Sequence, residues 1–182
     1  MRPIFLIGFM GSGKSTLGRL VSRATGIAFI DLDNYIEGRF SRSISTIFAE
    51  SGEDGFRDIE RRMLHEVAEM EDVLVACGGG TPCFFDNIDY MNSKGTTVWL
   101  SADNSVLHSR LMRGRHKRPL IASLDSDGLT RFIVDALARR DPFYSRASCR
   151  FETSLLETET DREDTAARFI EQYITPSITP RT

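Results

Sequence analysis

Short apolar runs rich in β-branched and aromatic residues alternate along the chain with longer segments of helical period. The runs at residues 3–7, 27–32, 73–77 and 96–101 predict strands, and a weaker fifth lies at 149–154. Buried strands separated by helices are typical of a parallel sheet covered on both faces. The pattern therefore predicts an α/β fold.

Two segments between these strands have the pattern of amphipathic helices. Within residues 54–70 the apolar positions fall on one side of a helix and the charged positions on the other. Residues 129–144 repeat the pattern, and Pro142 is expected to end that helix because proline lacks a backbone N–H. Residues 175–182 hold few apolar side chains, so we expect a disordered tail. No linker or repeat interrupts residues 1–174, which predicts one domain.

Composition and charge exclude several classes of protein. The 182 residues are 41% apolar with a formal net charge of −3, which gives no general reason to expect nucleic acid or an anionic membrane as partner. The three cysteines lack paired spacing, which favours reduced thiols over disulfides or a structural metal site. No apolar run approaches the ~20 residues of a membrane span and no signal-peptide pattern is present, so we expect a cytoplasmic protein.

A glycine-rich segment, GFMGSGKST, lies between the first predicted strand and a helix. Gly8, Gly13, Lys14 and Ser15 fit the G-x-x-x-x-G-K-[ST] pattern of a phosphate-binding loop. In such a loop, backbone N–H groups and the helix N-terminus converge on a polyphosphate, the lysine reaches the β and γ phosphates, and the hydroxyl is placed for Mg²⁺. The alternative is a plain turn, which the complete pattern disfavours. We therefore predict binding of a nucleoside triphosphate.

Asp31 and Asp33 lie at the carboxyl end of the second predicted strand, where ligands of open α/β sheets bind. Two residues apart in an extended segment, they would point to the same side. One carboxylate could belong to the Mg²⁺ shell, and the other could accept a hydrogen bond or proton from an attacking hydroxyl. The alternative is that both are solvated acids that cap the next helix.

Further along the chain, Arg57 and Glu60 lie one helical turn apart in GEDGFRDIE, and three glycines follow the third predicted strand. Adjacent glycines at the end of a strand let a ligand approach the backbone closely. The alternatives are a loose turn for the glycines and a surface ion pair between Arg57 and either Glu53 or Glu60.

The segment RLMRGRHKRPL holds five Lys or Arg in the nine positions 110–118. A turn-rich stretch follows, so these side chains lie on or beside a loop that can move. A nucleic-acid patch is one interpretation, but aromatic residues are not interleaved with the basic ones. An arginine lid over phosphates agrees better with the phosphate loop.

Five blocks in chain order resemble the shikimate kinases: GFMGSGKST, DLD, GEDGFRDIE, GGG, and RPL with RRDPFY. The resemblance extends from the opening strand to the last predicted helix. It implies a five-stranded parallel P-loop kinase fold with a mobile lid at about 111–126 and a helical substrate-binding region at about 33–61. The implied activity is transfer of the γ-phosphoryl of ATP to the 3-hydroxyl of shikimate, in aromatic amino-acid biosynthesis, by a monomer.

For the nucleotide, the resemblance places Mg²⁺ on Ser15, with Asp31 reaching it through water, and places Arg118 of the lid on the transferring phosphates. Adenine could contact any of four arginines: Arg110, Arg113, Arg115 and Arg162. The implied nucleotide loop comprises Gly11, Ser12, Gly13, Lys14, Ser15 and Thr16.

For the acceptor, the resemblance assigns Asp33 to the shikimate hydroxyls, either as a base or by orientation alone. It assigns Arg57 and Arg140 to the substrate carboxylate and the backbone of Gly79 to a ring hydroxyl. Two aromatic residues, Phe48 and Phe56, would line the pocket. The catalytic set is thus Lys14, Asp33 and Arg118.

Three other functions remain open from the sequence. A gluconate-type or nucleoside monophosphate kinase shares the phosphate loop and lid but does not need the FRDIE, GGG and RDPFY set. A P-loop switch protein would need an N-K-x-D-like stretch that reads the base, and none appears. A catalytically dead regulatory homologue is disfavoured by the intact Lys14, Ser15 and Asp33.

Overall fold

The computed structural model describes residues 1–175, apart from the side chains of Lys117 and Pro119. Most of the tail that the sequence predicts to be disordered, residues 176–182, lies outside the described residues. The strands and helices in chain order are β1 (Ile4–Ile7), α1 (Lys14–Thr25), β2 (Ala28–Asp31), α2 (Leu32–Phe40), α3 (Ile44–Ala68), β3 (Val73–Ala76), α4 (Asn87–Lys94), β4 (Thr96–Ser101), α5 (Asn104–Gly114), α6 (Ser126–Tyr144), β5 (Cys149–Glu152) and α7 (Glu159–Tyr173).

The five strands form one sheet in the order β2-β3-β1-β4-β5, and every neighbouring pair is parallel. Each strand lies within one of the apolar runs that predict strands. The fold class expected from the alternation of strands and helices is therefore confirmed.

Two hydrophobic layers cover the sheet, and successive residues of a strand belong to different layers. Phe5 and Ile7 of β1 pack with side chains of α2 to α6 on one face. Ile4 and Leu6 pack with α1 and α7 on the other face. Because β1 is covered on both sides, it is apolar at every position rather than at alternate ones.

The expected end of a helix at Pro142 is wrong, since α6 continues to Tyr144. Proline removes only the bond that the carbonyl of Ala138 would accept, and in the last turn this loss costs little continuity. Beyond the proline, Ser145 N–H still donates to the carbonyl of Asp141 at 2.9 Å. The fully buried side chain of Tyr144 anchors the final turn in the core.

The predicted substrate-binding region contains α2 and the first part of α3. Gly52 interrupts α3. Its backbone has φ +69° and ψ −175°, a conformation that residues other than glycine rarely adopt. Within residues 1–175, no helix is long and apolar enough to cross a bilayer.

Gly95, which ends α4, offers a test of the packing between the end of that helix and the sheet. A Cβ atom at residue 95 would lie 2.0 Å from the carbonyl oxygen of Pro3, in backbone that is held by pairing of β1 with β4. Gly95→Ala should therefore lower the free energy of unfolding by about 1–3 kcal/mol, as overpacking does. Urea denaturation measures this change.

The matched control is Gly38→Ala in α2, where a Cβ atom would meet nothing within 4 Å. This substitution should be neutral or should stabilise the helix by about 0.5–1 kcal/mol, since alanine loses less backbone entropy than glycine. Equal stability of the two variants would contradict the close approach at Gly95.

Candidate active site

The carboxyl ends of β1, β2 and β3 meet at one edge of the sheet and surround a cavity of about 700 Å³. Ligands of open parallel sheets bind at this edge. Most of the site residues predicted from the sequence lie in the wall of this cavity. They are Gly11, Gly13, Lys14, Ser15, Thr16, Asp31, Asp33, Gly79 and Arg118.

The glycine-rich loop joins β1 to α1, as predicted. Gly11 and Gly13 have φ angles of +82° and +95°, which only glycine adopts at low cost. The helix begins at Lys14, so its free N–H groups and positive end face the loop. Ser12 differs from its neighbours, because its side chain is buried and its Oγ finds no hydrogen-bond partner within residues 1–175.

Lys14 turns back onto its own loop. Its Nζ donates to the carbonyl oxygens of Gly8 at 2.7 Å and Phe9 at 3.1 Å. Burial lowers the pKa of Lys14 to about 8, and the charge of Asp33 opposes that shift. The ammonium group is thus held inside the loop by carbonyl dipoles alone, without a direct anionic partner.

A hydroxyl and a carboxylate meet beside the loop. The Oγ of Ser15 donates to Oδ2 of Asp31 at 2.6 Å. Hard oxygen ligands of this kind suit Mg²⁺, which usually keeps several waters and takes further oxygens from phosphates. Among residues 1–175, no group of three or more His, Cys, Asp or Glu side chains could hold a metal ion, so the remaining ligands would come from water and nucleotide.

The expectation that Asp31 and Asp33 share an extended segment is wrong. Strand β2 ends at Asp31, and Asp33 lies in the first turn of α2. The chain turns into the helix at once because Leu32 and Ile36, one turn apart, are both fully buried in the core. The two carboxylates nevertheless line the same cavity.

Asp33 has the environment of a functional carboxylate. The pKa of Asp33 is raised to about 6, chiefly by burial and also by the negative charges of Asp31 and Glu60, while the charge of Lys14 opposes the shift. A carboxyl group with a pKa this close to neutrality can exchange a proton at physiological pH.

Arg57 lies against the glycine run rather than in the cavity wall. A Cβ atom at Gly80 would lie 2.8 Å from its Nη2. Its guanidinium pairs with Glu60 at 2.8 Å and Glu53 at 3.2 Å and stacks over Phe84 at 3.9 Å. The ion pairs proposed as an alternative from sequence therefore exist, but the pair with Glu60 is buried, with exposures of 12% and 1%.

Glu60 and Thr81 form a buried link beside the glycine run, whereas the sequence indicates Glu60 only as a surface partner of Arg57 and does not indicate Thr81. Thr81 Oγ1 donates to Glu60 Oε1 at 2.6 Å, which ties the segment after the glycine run to α3. The position of Glu60 in the helical pattern indicates that its side chain is buried. It occupies an apolar face of the helix, one turn after Phe56 and one turn before Leu64, where an acid must have a buried partner.

Arg140 borders the glycine run from the side of α6. Its Nη1 would lie 3.0 Å from a Cβ atom at Gly79, and its guanidinium is 5.5 Å from the ring of Phe9. Arg57 and Arg140 therefore flank adjacent glycines. Phe48 and Phe56 do not line the cavity as expected, but stack on each other at 4.4 Å.

Two arginines of the basic segment are engaged with the rim of the cavity. Arg110 donates to the carbonyls of Gly11 at 3.2 Å and Thr153 at 2.8 Å. It shares the carboxylate of Glu157 with Arg113. Glu157 was not anticipated, because its partners are far away in sequence.

The other arginines of the segment differ in where they point. Arg115 donates to the carbonyl of Leu124 at 3.0 Å and lies outside the cavity wall. Arg118, between two short turns at Arg115–Lys117 and Pro119–Ile121, lies in the wall. Arg162, also in the wall, donates to the carbonyl of Leu156 at 3.0 Å. The structure thus gathers three of the four candidate adenine contacts around the cavity.

A phosphate loop alone is common to switch proteins and phosphotransferases. Here the same cavity also holds a carboxylate with a raised pKa, next to a glycine run bordered by two arginines, which provides room for an acceptor. The molecule is a P-loop kinase of the small-molecule type.

Comparison with known proteins identifies the family. The family model described as shikimate kinase matches residues 10–174. The shikimate kinase of Phocaeicola vulgatus is 53% identical over 157 residues, which cover 86% of this chain and 90% of that protein. The chain belongs to the shikimate kinase family, and the resemblance seen in its motifs is confirmed.

Solved structures agree. The crystal structure of shikimate kinase from Bacteroides thetaiotaomicron is 45% identical, with a TM-score of 0.90, and the match covers 93% of this chain and 97% of that one. Shikimate kinase from Acinetobacter baumannii, solved in complex with shikimate, is 27% identical with a TM-score of 0.82, and the match covers 98% and 96% of the two chains.

The raised pKa of Asp33 can be measured by carbon NMR titration of the side-chain carboxyl groups. We expect a pKa of about 6, against an ordinary value of 3.8. Glu60→Gln removes a neighbouring negative charge and should lower the pKa of Asp33, whereas Lys14→Ala should raise it. Titration of wild-type Asp33 at its ordinary value would contradict the burial and charge described above.

Proposed function

We propose that the residues at this edge of the sheet transfer the γ-phosphoryl of ATP to the 3-hydroxyl of shikimate, with the assignments given below. The observation that carries the proposal is the placement of Arg57 and Arg140 against the glycine run that lines the phosphate-loop cavity. Shikimate is a small cyclic carboxylate with ring hydroxyls. Two guanidinium groups beside backbone N–H groups suit such a molecule.

The nucleotide binds along the loop from Gly11 to Thr16, where backbone N–H groups and the N-terminus of α1 meet the phosphates. Lys14 exchanges its carbonyl partners for the β and γ phosphates. That exchange raises the pKa of Lys14, because an anion opposes the shift that burial causes.

Ser15 and Asp31 are the residues that would hold Mg²⁺, the serine directly and the aspartate through water. The bound ion supplies neutralisation of phosphate charge. Their hydrogen bond of 2.6 Å supports this assignment, because it places the two oxygens side by side near the phosphate loop.

Asp33 receives the acceptor hydroxyl. With a pKa of about 6, its carboxylate is ionised at neutral pH and can accept a hydrogen bond from that hydroxyl. Phosphoryl transfer passes through a loose transition state and needs little proton removal beforehand. Orientation is thus the first contribution of Asp33, and it takes the proton as the new bond to phosphorus forms.

The acceptor carboxylate is held by Arg57 and Arg140, with the backbone of Gly79 facing a ring hydroxyl. Arg57 keeps its buried partner Glu60 and exchanges Glu53, which is 58% exposed, for the substrate. This exchange replaces a solvated ion pair by an enclosed one, where the Coulombic attraction is stronger.

Arg118 acts from the lid, residues 111–126, which contains the last turn of α5 and the two short turns. Closure of this segment brings the guanidinium to the transferring phosphates, where it neutralises charge that shifts during the reaction. Adenine contacts come from the candidate arginines in the cavity wall, which are Arg110, Arg113 and Arg162.

We also propose that the chain works as a cytoplasmic monomer, with ATP, Mg²⁺ and shikimate as its ligands and without nucleic acid. The large apolar side chains that are exposed are few in the described structure and lie on different elements. They are Phe40, Phe85, Leu120, Val134 and Leu155.

A panel of acceptors tests the function. Purified protein with ATP and Mg²⁺ should phosphorylate shikimate, and phosphorus NMR of the product should place the phosphate on the 3-hydroxyl. Gluconate and nucleoside monophosphates should be inert. Lys14→Ala should abolish transfer with the fold intact, because no other ammonium lies in this loop. Turnover of gluconate or a monophosphate with shikimate inert would overturn the proposal.

The arginines should separate into two kinetic classes. Arg57 and Arg140 meet a carboxylate whose charge is constant, so Arg57→Ala and Arg140→Ala should chiefly raise KM for shikimate. Arg118 meets charge that moves in the reaction, so Arg118→Ala should chiefly lower kcat, by about 10³-fold if it resembles an arginine finger. Steady-state kinetics with ATP saturating and shikimate varied measure both quantities.

Arg2→Ala is the control, since Arg2 is exposed at the opposite end of β1, where it donates to the carbonyl of Lys94 at 2.9 Å. It should leave kcat and KM unchanged. An Arg118 variant altered only in its KM for shikimate would mean that this arginine contacts the acceptor rather than the phosphates.

A further inference from the structure

The three carbonyl groups of the glycine run are all held by donors of the protein. Gly78 accepts from the N–H of Thr81 at 3.2 Å, and Gly80 accepts from the N–H of Cys83 at 2.8 Å. Each of these two bonds closes a local turn. The carbonyl of Gly79 instead accepts from a side chain 65 residues away, the hydroxyl of Tyr144, at 2.6 Å.

The N–H groups of the same glycines are free for a ligand. Within residues 1–175, no hydrogen bond is donated by the backbone N–H of Gly78, Gly79 or Gly80. The carbonyl and the N–H of one trans peptide point in opposite directions. Holding the carbonyl of Gly79 therefore also fixes the direction of the Gly80 N–H.

Tyr144 is built into the core so that its hydroxyl has a fixed position. The side chain is fully buried, and its ring lies 5.8 Å from the ring of Trp99. Burial raises the pKa of Tyr144, which keeps the phenol protonated and able to donate. Arg140 lies one turn earlier on the same face of α6, and its Nη1 would be 3.0 Å from a Cβ atom at the same glycine.

We infer that Tyr144 is a positioning residue for the acceptor, which fixes the Gly79–Gly80 peptide so that the free N–H of Gly80 faces the substrate. The inference rests on the proposed placement of shikimate beside Gly79. In this arrangement α6 sets two features of the acceptor site together, the guanidinium of Arg140 and the orientation of the backbone beside it.

A tether is needed here because glycine has the widest choice of backbone conformations. Without the phenol hydroxyl, the part-buried carbonyl of Gly79 would lose its donor, and rotation of the peptide would relieve that cost. Only the fraction of molecules with the original orientation would then bind the acceptor well, so the apparent affinity would fall by that fraction.

The test compares Tyr144→Phe with Thr97→Val. Thr97 is also fully buried, and its hydroxyl bonds with Asn92 and accepts from the N–H of Ser148 at 2.8 Å, away from the glycine run. Both variants lose a buried hydroxyl and should lose thermal stability. Only Tyr144→Phe should weaken shikimate binding in calorimetry, by about tenfold if one molecule in ten keeps the peptide orientation.

Binding of ADP by Tyr144→Phe should stay within about twofold of the wild type, since the nucleotide loop is intact, and KM for shikimate should rise more than KM for ATP. In the protein without ligand, the amide NMR signals of Gly79 and Gly80 should shift or broaden in Tyr144→Phe and not in Thr97→Val. Equal shikimate affinity in the two variants, or unchanged glycine amides in Tyr144→Phe, would overturn the inference.

If the proposed function were wrong, the same experiments would give a different result from failure of the Tyr144 inference. In that case wild-type protein would neither bind nor phosphorylate shikimate, whereas the amide signals of the glycine run would still report whether Tyr144 holds the peptide. Acceptor binding in the wild type together with unchanged binding in Tyr144→Phe refutes the positioning role alone.

Discussion

A carboxylate buried on the apolar face of α3 holds the acceptor side of the site together. Glu60 accepts from Arg57 and from Thr81, and its charge helps to keep the pKa of Asp33 high. Loss of this buried anion would leave the guanidinium of Arg57 with only the exposed Glu53 as its partner, which costs more than loss of a surface pair. The positions of Arg57, the glycine run and the proton affinity of Asp33 therefore depend on one side chain.

The same principle extends to other cationic groups in and beside the cavity, which have partners within the protein. Lys14 donates to loop carbonyls, Arg57 pairs with two glutamates, and Arg110 and Arg113 share Glu157. Under the proposed assignments, substrate binding exchanges partners rather than adding charge to an empty site. Such exchange keeps the cost of desolvation low, because the groups are already partly removed from water.

Much of the fold and of the nucleotide site could be predicted from the sequence, because both depend on local patterns. Buried strands are apolar runs, and the phosphate loop requires glycine, lysine and serine at fixed spacing beside a strand and a helix. Asp33 was placed on the wrong element because the switch from strand to helix is decided by burial of Leu32 and Ile36. Thr81 and Glu157 act through contacts between distant segments, which spacing along the chain does not encode.

At Pro142, the rule that proline ends a helix gives the wrong boundary, because tertiary contacts of Tyr144 stabilise the last turn. Read as a helix breaker, the proline suggests that RDPFY simply ends α6. In the structure the helix continues for two residues, and this continuation puts Tyr144 one turn beyond Arg140, with both side chains against Gly79. A helix that ended at the proline would lose the second contact. The spacing of Arg140 and Tyr144 along the helix therefore explains the RDPFY motif better than Pro142 does. This spacing places a guanidinium beside Gly79 and a hydroxyl on the Gly79 carbonyl.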